Sequence, residues 1–199
     1  MEWLKVKNVR KWSFCLKQWC LLVEWPRNKG IRTYIVEAFI ITFFQGIGMV
    51  KRMTYLEGLK KMANGELPGS PASQLLGFKV TDVEEGKVVI EMEVDERFHN
   101  PMGTVQGSIL CDIADAAMGY AFVTTLAENE LFSTVELKMN FLKPIFKAKL
   151  RAVGKLIKKG SSVGLLECYV YDQKGSLVAH STSTCMVLKG NSRRKRIQM

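Results

Sequence analysis

The sequence predicts an α+β fold in which an antiparallel sheet packs against one long helix. Residues 105–126 form a helical segment with many small residues, among them Ala117 and Gly119, and small residues let a helix lie close to another backbone. The segments around this helix alternate polar and apolar residues and are joined by short turns, as in β-hairpins. Hairpins join antiparallel strands, so a βαβ unit with a parallel sheet is excluded.

Three parts of the chain differ in charge. Residues 1–50 carry a net charge of +5 and residues 189–199 another +5, whereas residues 51–188 carry no net charge. The overall charge of +10 therefore reflects the two ends, and it does not indicate a nucleic-acid-binding protein. We predict a domain at 51–188, an N-terminal extension at 1–50 and a basic disordered tail at 189–199.

The N-terminal extension contains all four tryptophans of the chain. Its longest uncharged run, 38–50, has 13 residues, fewer than the roughly 20 that a membrane-spanning helix needs, and no signal-peptide cleavage site follows it. Three interpretations stay open: a helix at the membrane surface, a docking arm, or a segment outside the native protein, with translation starting at Met49 or Met53. We prefer the last, because the composition changes where these methionines occur. No integral membrane association is expected.

The five cysteines predict neither disulfides nor a metal site. No two of them have C-x-x-C spacing, and the chain has only two histidines. We therefore predict free thiols in a reducing cytoplasm, with no metal and no other cofactor.

The predicted elements begin with a short amphipathic helix that ends at Asn64-Gly65. Its apolar face consists of Met53, Leu56, Leu59 and Met62. Residues 70–77 are predicted as a loop into the next element. Residues 78–96 are predicted as a hairpin that turns at Glu85-Gly86.

The strands after the long helix are predicted from the same alternation. Residues 133–142 place Val135, Leu137, Met139 and Phe141 on one face, and Pro144 ends this strand. A long hairpin turns about Lys159-Gly160, and residues 176–189 form the last strand. The predicted order, after the first helix, is β-β-α-β-β-β.

The beginning of the long helix could serve as an oxyanion site. Gly107 lies in the first helical turn, where backbone N–H groups lack partners and the helix dipole is positive. Such a donor suits acyl transfer; the alternative is a helix that simply starts with Gly. Asp115 lies eight residues later, about 12 Å along the axis. One carbonyl group cannot contact both, so a shared reaction requires Asn100 and Gly107 of one subunit to face Asp115 of another.

Two aspartates of the helix are interpreted differently. Four apolar neighbours surround Asp115 in sequence, which would disfavour its ionised form and make it a better base. Asp112 is interpreted as an exposed or capped residue. A Ser–His–Asp site is not indicated, because no G-x-S-x-G occurs and His99 and His180 lie far apart in the chain. His99 flanks the site, whereas His180 is interpreted as structural.

The segments "NPMGTVQGSILCDIAD", "STVELKMNFLKP" and "GSLVAHSTST" resemble the PaaI-like hotdog-fold acyl-CoA thioesterases over about residues 65–188. The resemblance implies a hotdog fold, with the sheet wrapped around the central helix, and thioester hydrolysis in a site shared across a dimer, which often pairs into a dimer of dimers. It implies that Asp115 is the nucleophile or general base and that the N–H of Gly107 polarises the thioester carbonyl. It also implies that Asn100 helps to hold the thioester or the water, and that Thr134 positions the water, with Ser133 as the alternative.

Two positions depart from the family pattern. Gln106 stands where the family usually has His, and Gln can hydrogen-bond but cannot carry a proton. Ser108 replaces the second Gly of the family's Gly-Gly pair. Both positions, with His99, are expected to contact the substrate.

Basic residues are expected to bind the phosphates of CoA. A basic cluster begins just before Pro144 and continues after it, and Lys143, Arg151 and Lys155 are our candidates within it, although any single lysine there could simply be solvated. The expected partners are therefore acyl-CoA, or an acyl-carrier protein, and a second copy of the chain, without nucleic acid.

Two other functions remain open. One is a non-catalytic acyl-CoA-binding module, which Gln106 favours, although residues 1–50 show no helix-turn-helix pattern. The other is a dehydratase or hydratase on the same fold, for which His99 is poorly placed.

Overall fold

The computed structural model describes residues 53–189, and the predictions made for residues 1–50 and for the tail beyond Lys189 lie outside the described residues. The described part contains three α-helices and six strands. The helices are α1 (Tyr55–Ala63), α2 (Pro71–Leu76) and α3 (Gly107–Val123). The strands are β1 (Lys79–Glu84), β2 (Lys87–Val94), β3 (Glu130–Phe141), β4 (Ala148–Lys159), β5 (Val163–Tyr171) and β6 (Leu177–Lys189).

The six strands form one antiparallel sheet in the order β1-β2-β4-β5-β6-β3. Helix α3 packs on one face of this sheet, so the predicted α+β hotdog architecture is confirmed. The core between them is apolar, and its largest side chains with less than 2% exposure include Phe122, Ile113, Met118, Ile90 and Leu166. Strand β3 lies at one edge of the sheet, and no strand of residues 53–189 pairs with its outer row of backbone groups.

Small residues bring α3 against the sheet, as predicted. Ala114, Ala117 and Ala121 are completely buried. A Cβ atom added to Gly154 of β4 would approach the carbonyl oxygen of Ala117 to 2.4 Å. The close contact between helix and sheet therefore depends on the missing side chain of Gly154 and on the small side chains of α3.

Two predicted elements differ from the structure. Residues 71–76, predicted as loop, form α2, which Ser70 caps at its start and Gly77 ends in the left-handed conformation. Four strands follow α3 rather than three, because each of the four segments after the helix forms its own strand. The N-terminal hairpin and its turn are as predicted, and so is the first helix, except that it begins after Met53, which was predicted on its apolar face. A capping box between Thr54 and Glu57 starts this helix.

The alternation predicted for β3 is interrupted at Val135. The register with β6 shifts between Thr134 and Glu136, so one extra residue bulges out of the strand. Val135 is consequently 60% exposed, instead of facing the helix with Leu137. The bulge turns Thr134 toward α3, because its partner across the ladder, Cys185, is buried.

Within residues 53–189, no helix is both long and apolar enough to cross a bilayer.

Candidate functional site

Asp115 lies on the exposed side of α3, next to the edge strand β3. Its Oδ1 atom accepts a hydrogen bond of 3.1 Å from Oγ1 of Thr134, whose hydroxyl lies 3.9 Å from the sulfur of Cys185. The structure therefore brings together two of the predicted site residues. The bulge at Val135 makes this contact possible, because a regular strand would alternate the faces of Thr134 and Leu137.

Gly107 begins α3, as predicted, and Gln106 is the N-cap residue. The N–H groups of Gly107 and Ser108 donate to no atom of residues 53–189, so they are free to bind an acceptor. A Cβ atom at position 107 would lie 2.9 Å from the ring of Phe141. The glycine therefore lets the ring of Phe141, at the far end of β3, lie directly against the start of α3.

Asp115 and Gly107 do not meet within one subunit. Both belong to the continuous helix α3, and eight residues of helix separate them by about 12 Å. They contact different halves of the same edge strand, since Asp115 contacts Thr134 and Gly107 lies against Phe141.

Asn100 organises the loop that leads into α3. Its Oδ1 accepts hydrogen bonds from the N–H groups of Met102 (2.9 Å) and Thr104 (3.3 Å), and its Nδ2 donates to Oγ1 of Thr104 (3.0 Å). Gly103, with φ of +76°, completes this turn in a conformation that favours glycine. The side chain is thus committed to its own loop, and it does not reach Asp115 within the subunit.

His99, Gln106 and Ser108 surround the same entry to α3. Nε2 of His99 lies 2.7 Å from the carbonyl oxygen of Phe146, so this nitrogen carries the proton and donates. The exposed Gln106 makes no capping hydrogen bond, and Ser108 is exposed as well.

The predicted phosphate-binding residues do not converge on Asp115. Lys143 forms an ion pair of 2.7 Å with Asp172, a carboxylate that also caps the turn between β5 and β6. Arg151 and Lys155 are exposed on β4, where the alternate residues Leu150 and Ala152 are buried toward α3. Their side chains therefore project from the face of the sheet opposite α3.

The fold and the predicted motifs have counterparts in known proteins. A family model described as the thioesterase superfamily matches residues 102–179. A presumed esterase of Saccharolobus solfataricus is 32% identical over 118 residues, which cover 58% of this chain and 82% of that relative. The chain belongs to the thioesterase superfamily. The family resemblance of the sequence is thereby confirmed, and with it thioester hydrolysis as the class of reaction.

Two further proteins are similar to this thioesterase. The 1,4-dihydroxy-2-naphthoyl-CoA hydrolase of Listeria monocytogenes is 26% identical over 116 residues, covering 58% of this chain and 94% of the relative. The PaaI protein from the phenylacetic acid degradation operon of Escherichia coli superposes with a TM-score of 0.61 at 20% identity. That superposition covers 69% of this chain and 99% of the PaaI chain, and it supports the hotdog fold.

Asp112 is a second carboxylate beside the site, one turn before Asp115. Partial burial and the negative charge of Asp115 raise the pKa of Asp112 above its ordinary value of 3.8. Asp112 is exposed, as the sequence interpretation expects, and its three-residue spacing places it beside Asp115 on the same face of α3. Residues three apart on a helix are neighbours. Within residues 53–189, no group of three potential metal ligands occurs.

Replacing Asp112 should stabilise this thioesterase at neutral pH. A raised pKa in the folded state means that the protonated carboxyl favours folding. The stability that the protonated Asp112 contributes is fully present below pH 3.8, and it is lost as the pH rises through the raised pKa of the folded state. We expect Asp112→Asn to melt at a slightly higher Tm than the wild type at pH 7, with the difference disappearing near pH 3. Thermal melts monitored by circular dichroism would measure it, and a lower Tm at pH 7 would contradict the shift.

Substitutions at Asn100 separate loop formation from substrate contact. Asn100→Ala removes three hydrogen bonds and should destabilise the protein by about 1–3 kcal/mol in urea unfolding. Asn100→Asp keeps the acceptor for both backbone N–H groups and should lose less stability. If Asn100 acts through its loop, the Asp variant also keeps most of kcat/KM. Equal kcat/KM losses in both variants would instead indicate that the Nδ2 group contacts the substrate.

Proposed function

We propose that this thioesterase hydrolyses acyl-CoA in a site built from two copies of the chain. The observation that carries the proposal is the Asp115 carboxylate, exposed beside the open edge of β3 and held by Thr134. The name of the Listeria relative includes a CoA thioester as its substrate, which supports acyl-CoA as the substrate class.

The contacts between α3 and β3 suggest how two copies of the chain would assemble. Thr134 lies beside Asp115 and Phe141 beside Gly107, so the two candidate groups lie near different halves of β3. If β3 paired antiparallel with its copy about a two-fold axis between Leu137 and Lys138, Thr134 would lie opposite Phe141 of the second subunit. This register brings Asp115 of one subunit toward Gly107 of the other.

The exposed apolar side chains along this edge support the same assembly. Val135 and Phe141 of β3 are 60% and 55% exposed, and Leu142 directly after the strand is 56% exposed. A twelve-residue edge strand with such side chains is an association site unless another strand covers it. A second copy would both cover the edge and complete the site, and a dimer of dimers remains a further proposal.

The chemistry needs two groups at the thioester. Asp115 accepts a proton from water, and the resulting hydroxide adds to the carbonyl carbon, or the carboxylate itself attacks that carbon. The N–H of Gly107 in the second subunit donates to the developing oxyanion. The C–S bond then breaks, and the thiolate of CoA takes up the proton that Asp115 accepted from water. If the carboxylate has attacked instead, water opens the resulting anhydride, regenerates Asp115 and supplies this proton. Thr134 orients the carboxylate throughout.

The remaining predicted residues take supporting roles in the proposal. Asn100 shapes the loop before Gly107, and Gln106, Ser108 and His99 border the entry to the carbonyl. Arg151, Lys155 and Lys143 remain candidates for phosphate binding, which for Arg151 and Lys155 requires CoA to reach the outer face of the sheet. The free thiols of Cys111, Cys168 and Cys185 agree with the proposed cytoplasmic location.

The proposal is tested by release of free thiol from purified full-length protein. We expect hydrolysis of at least one member of a panel of acetyl-, hexanoyl-, decanoyl-, palmitoyl- and benzoyl-CoA, by a species that light scattering shows to be a dimer or larger. Tight binding without thiol release would instead assign the protein as a non-catalytic acyl-CoA-binding module, which is favoured by Gln106 because its amide cannot take up or release a proton as His does.

A further inference from the structure

A groove of about 880 Å³ leads away from Asp115 along the outer side of α3. One stripe of the helix forms its floor, because the lining positions are three or four residues apart. These positions are Asp112, Asp115, Ala116, Gly119, Tyr120 and Val123. Ile113, Ala117 and Met118 of the same helix are fully buried toward the sheet. The groove therefore lies on the side of α3 that the sheet does not cover.

The first helix covers this groove from above. Gly58, Leu59 and Met62 of α1 line it, and Phe132 of β3 lines it as well. The hydroxyl of Tyr55, also at the groove, donates to the carbonyl oxygen of Glu130, so its polar atom is already bound. Apart from Asp112 and Asp115 near one end of the stripe, the lining is mainly apolar.

Small residues line the middle of the groove. Ala116 and Gly119 follow Asp115 by one and four positions along the floor. A Cβ atom at Gly119 would lie 3.0 Å from the ring of Phe132, so the glycine lets this ring pack directly against the floor of the groove. The groove therefore begins at the proposed reacting carboxylate and continues as an apolar slot.

We propose that this groove holds the acyl chain of the substrate and selects straight chains of medium length. The inference rests on the proposed function, since it places the thioester carbonyl at Asp115 and the methyl end near Val123. These two residues lie about 12 Å apart along the helix axis. An extended chain with C–C bonds of about 1.5 Å advances about 1.25 Å per carbon, so about ten carbons fill this length.

The dependence of kcat/KM on acyl-chain length should follow from burial of the chain in the groove. Each additional CH₂ group that enters the groove should raise kcat/KM about fourfold, the factor given by its transfer from water. The increase should continue up to about decanoyl-CoA and level off beyond it. A rigid, branched or polar acyl group should fill the slot less well.

Gly58 offers a substitution that shortens the groove without disturbing the core. A Cβ atom at this position meets only the terminal methyl of Met53, at 3.5 Å, and Gly is in any case unfavourable within a helix. Gly58→Leu should therefore fold and project into the groove. The matched control is Lys60→Leu, which adds the same side chain to an exposed position of α1 that does not line the groove.

The experiment compares kcat/KM for butyryl-, hexanoyl-, decanoyl- and palmitoyl-CoA in the full-length wild type and both variants. We expect the ratio of decanoyl- to butyryl-CoA to fall at least tenfold in Gly58→Leu, less in Gly58→Ala, and to stay unchanged in Lys60→Leu. An unchanged ratio in Gly58→Leu, or a wild-type profile indifferent to chain length, would overturn the inference.

Binding separates this inference from the proposed function. Calorimetric titration of the Asp115→Asn protein with CoA, hexanoyl-CoA and decanoyl-CoA measures the groove without hydrolysis. Affinity that rises with chain length, and loses this rise when Gly58→Leu is added, supports the groove even if the wild type releases no thiol. Equal affinity for CoA and decanoyl-CoA would contradict the groove even if hydrolysis is observed.

Discussion

Asp115→Asn should lower kcat for acyl-CoA hydrolysis by about 10³-fold, within the range of about 10²–10⁴ that a positioned general base supplies. The amide keeps the size of the carboxylate, and its Oδ1 can still accept the hydrogen bond from Thr134. The substitution therefore removes the ability to take a proton, or to attack the carbonyl, while it preserves the local structure. Thiol release under saturating acyl-CoA measures the effect.

Asp112→Asn is the matched control for this substitution. Asp112 lies one turn away on the same helix and lines the same groove, but it has no hydrogen bond to Thr134 in the described structure. We expect this variant to keep kcat within about threefold of the wild type, since general-base catalysis at Asp115 remains. If Asp115→Asn kept more than a tenth of kcat, Asp115 would not be the reacting carboxylate.

A single turnover in ¹⁸O-labelled water distinguishes the two possible roles of Asp115. If the carboxylate activates water, the first product molecule contains one ¹⁸O atom from the solvent. If the carboxylate attacks the carbonyl, an anhydride forms. If water then attacks the anhydride at the carboxyl carbon of Asp115, the label enters the enzyme and the first acid released is unlabelled. If water attacks at the acyl carbon, the first acid carries ¹⁸O. Unlabelled product in the first turnover therefore identifies Asp115 as a nucleophile.

The fold was largely predictable because burial follows the alternation of β2, where Val88, Ile90, Met92 and Val94 are all buried. Helix α2 was missed although the sequence contains its signals, an N-cap Ser70, Pro71 in the first turn and Gly77 at the end. Its six residues are too few to show a helical period. Short elements are therefore better recognised by their caps than by periodicity.

The positions of the site residues could be predicted only where they depend on a single segment of the sequence. The position of Gly107 at the helix start follows from the sequence pattern alone. The contact between Thr134 and Asp115 depends on a bulge at Val135, and an extra residue within an alternating strand has no distinctive side chain. By contrast, Arg151 could have been placed on the outer face in advance, because its neighbours Leu150 and Ala152 alternate with it and are apolar.

Gly107→Pro should reduce kcat by about 10²–10³-fold, the typical loss when one oxyanion donor is removed. Proline lacks the N–H group but is well accepted at the first position of a helix. Gln106, with φ of −59° and ψ of 130°, already has the extended conformation that a following proline requires. The substitution therefore removes the proposed donor with little expected change in the helix.

Gly107→Ala is the control for steric effects at this position. Both alanine and proline place a Cβ atom against the outer ring atoms of Phe141, which belong to a side chain that can move. Only proline removes the N–H group. A large loss of kcat in Gly107→Pro with a small loss in Gly107→Ala would identify the N–H group of residue 107 as the donor. Equal losses in the two variants would attribute the effect to crowding against Phe141.

Mixed dimers test whether Gly107 and Asp115 act across the interface. In a dimer of one Asp115→Asn subunit and one Gly107→Pro subunit, one site contains both substitutions and the other contains neither. Random assembly of equal amounts makes half of the dimers mixed, so about a quarter of the wild-type activity should return when the two inactive proteins are co-expressed. If both groups served from the same chain, no site would be intact and the mixture would stay as inactive as its parents. The helix makes this second result unexpected, because about 12 Å of continuous α3 separates the two residues within a subunit.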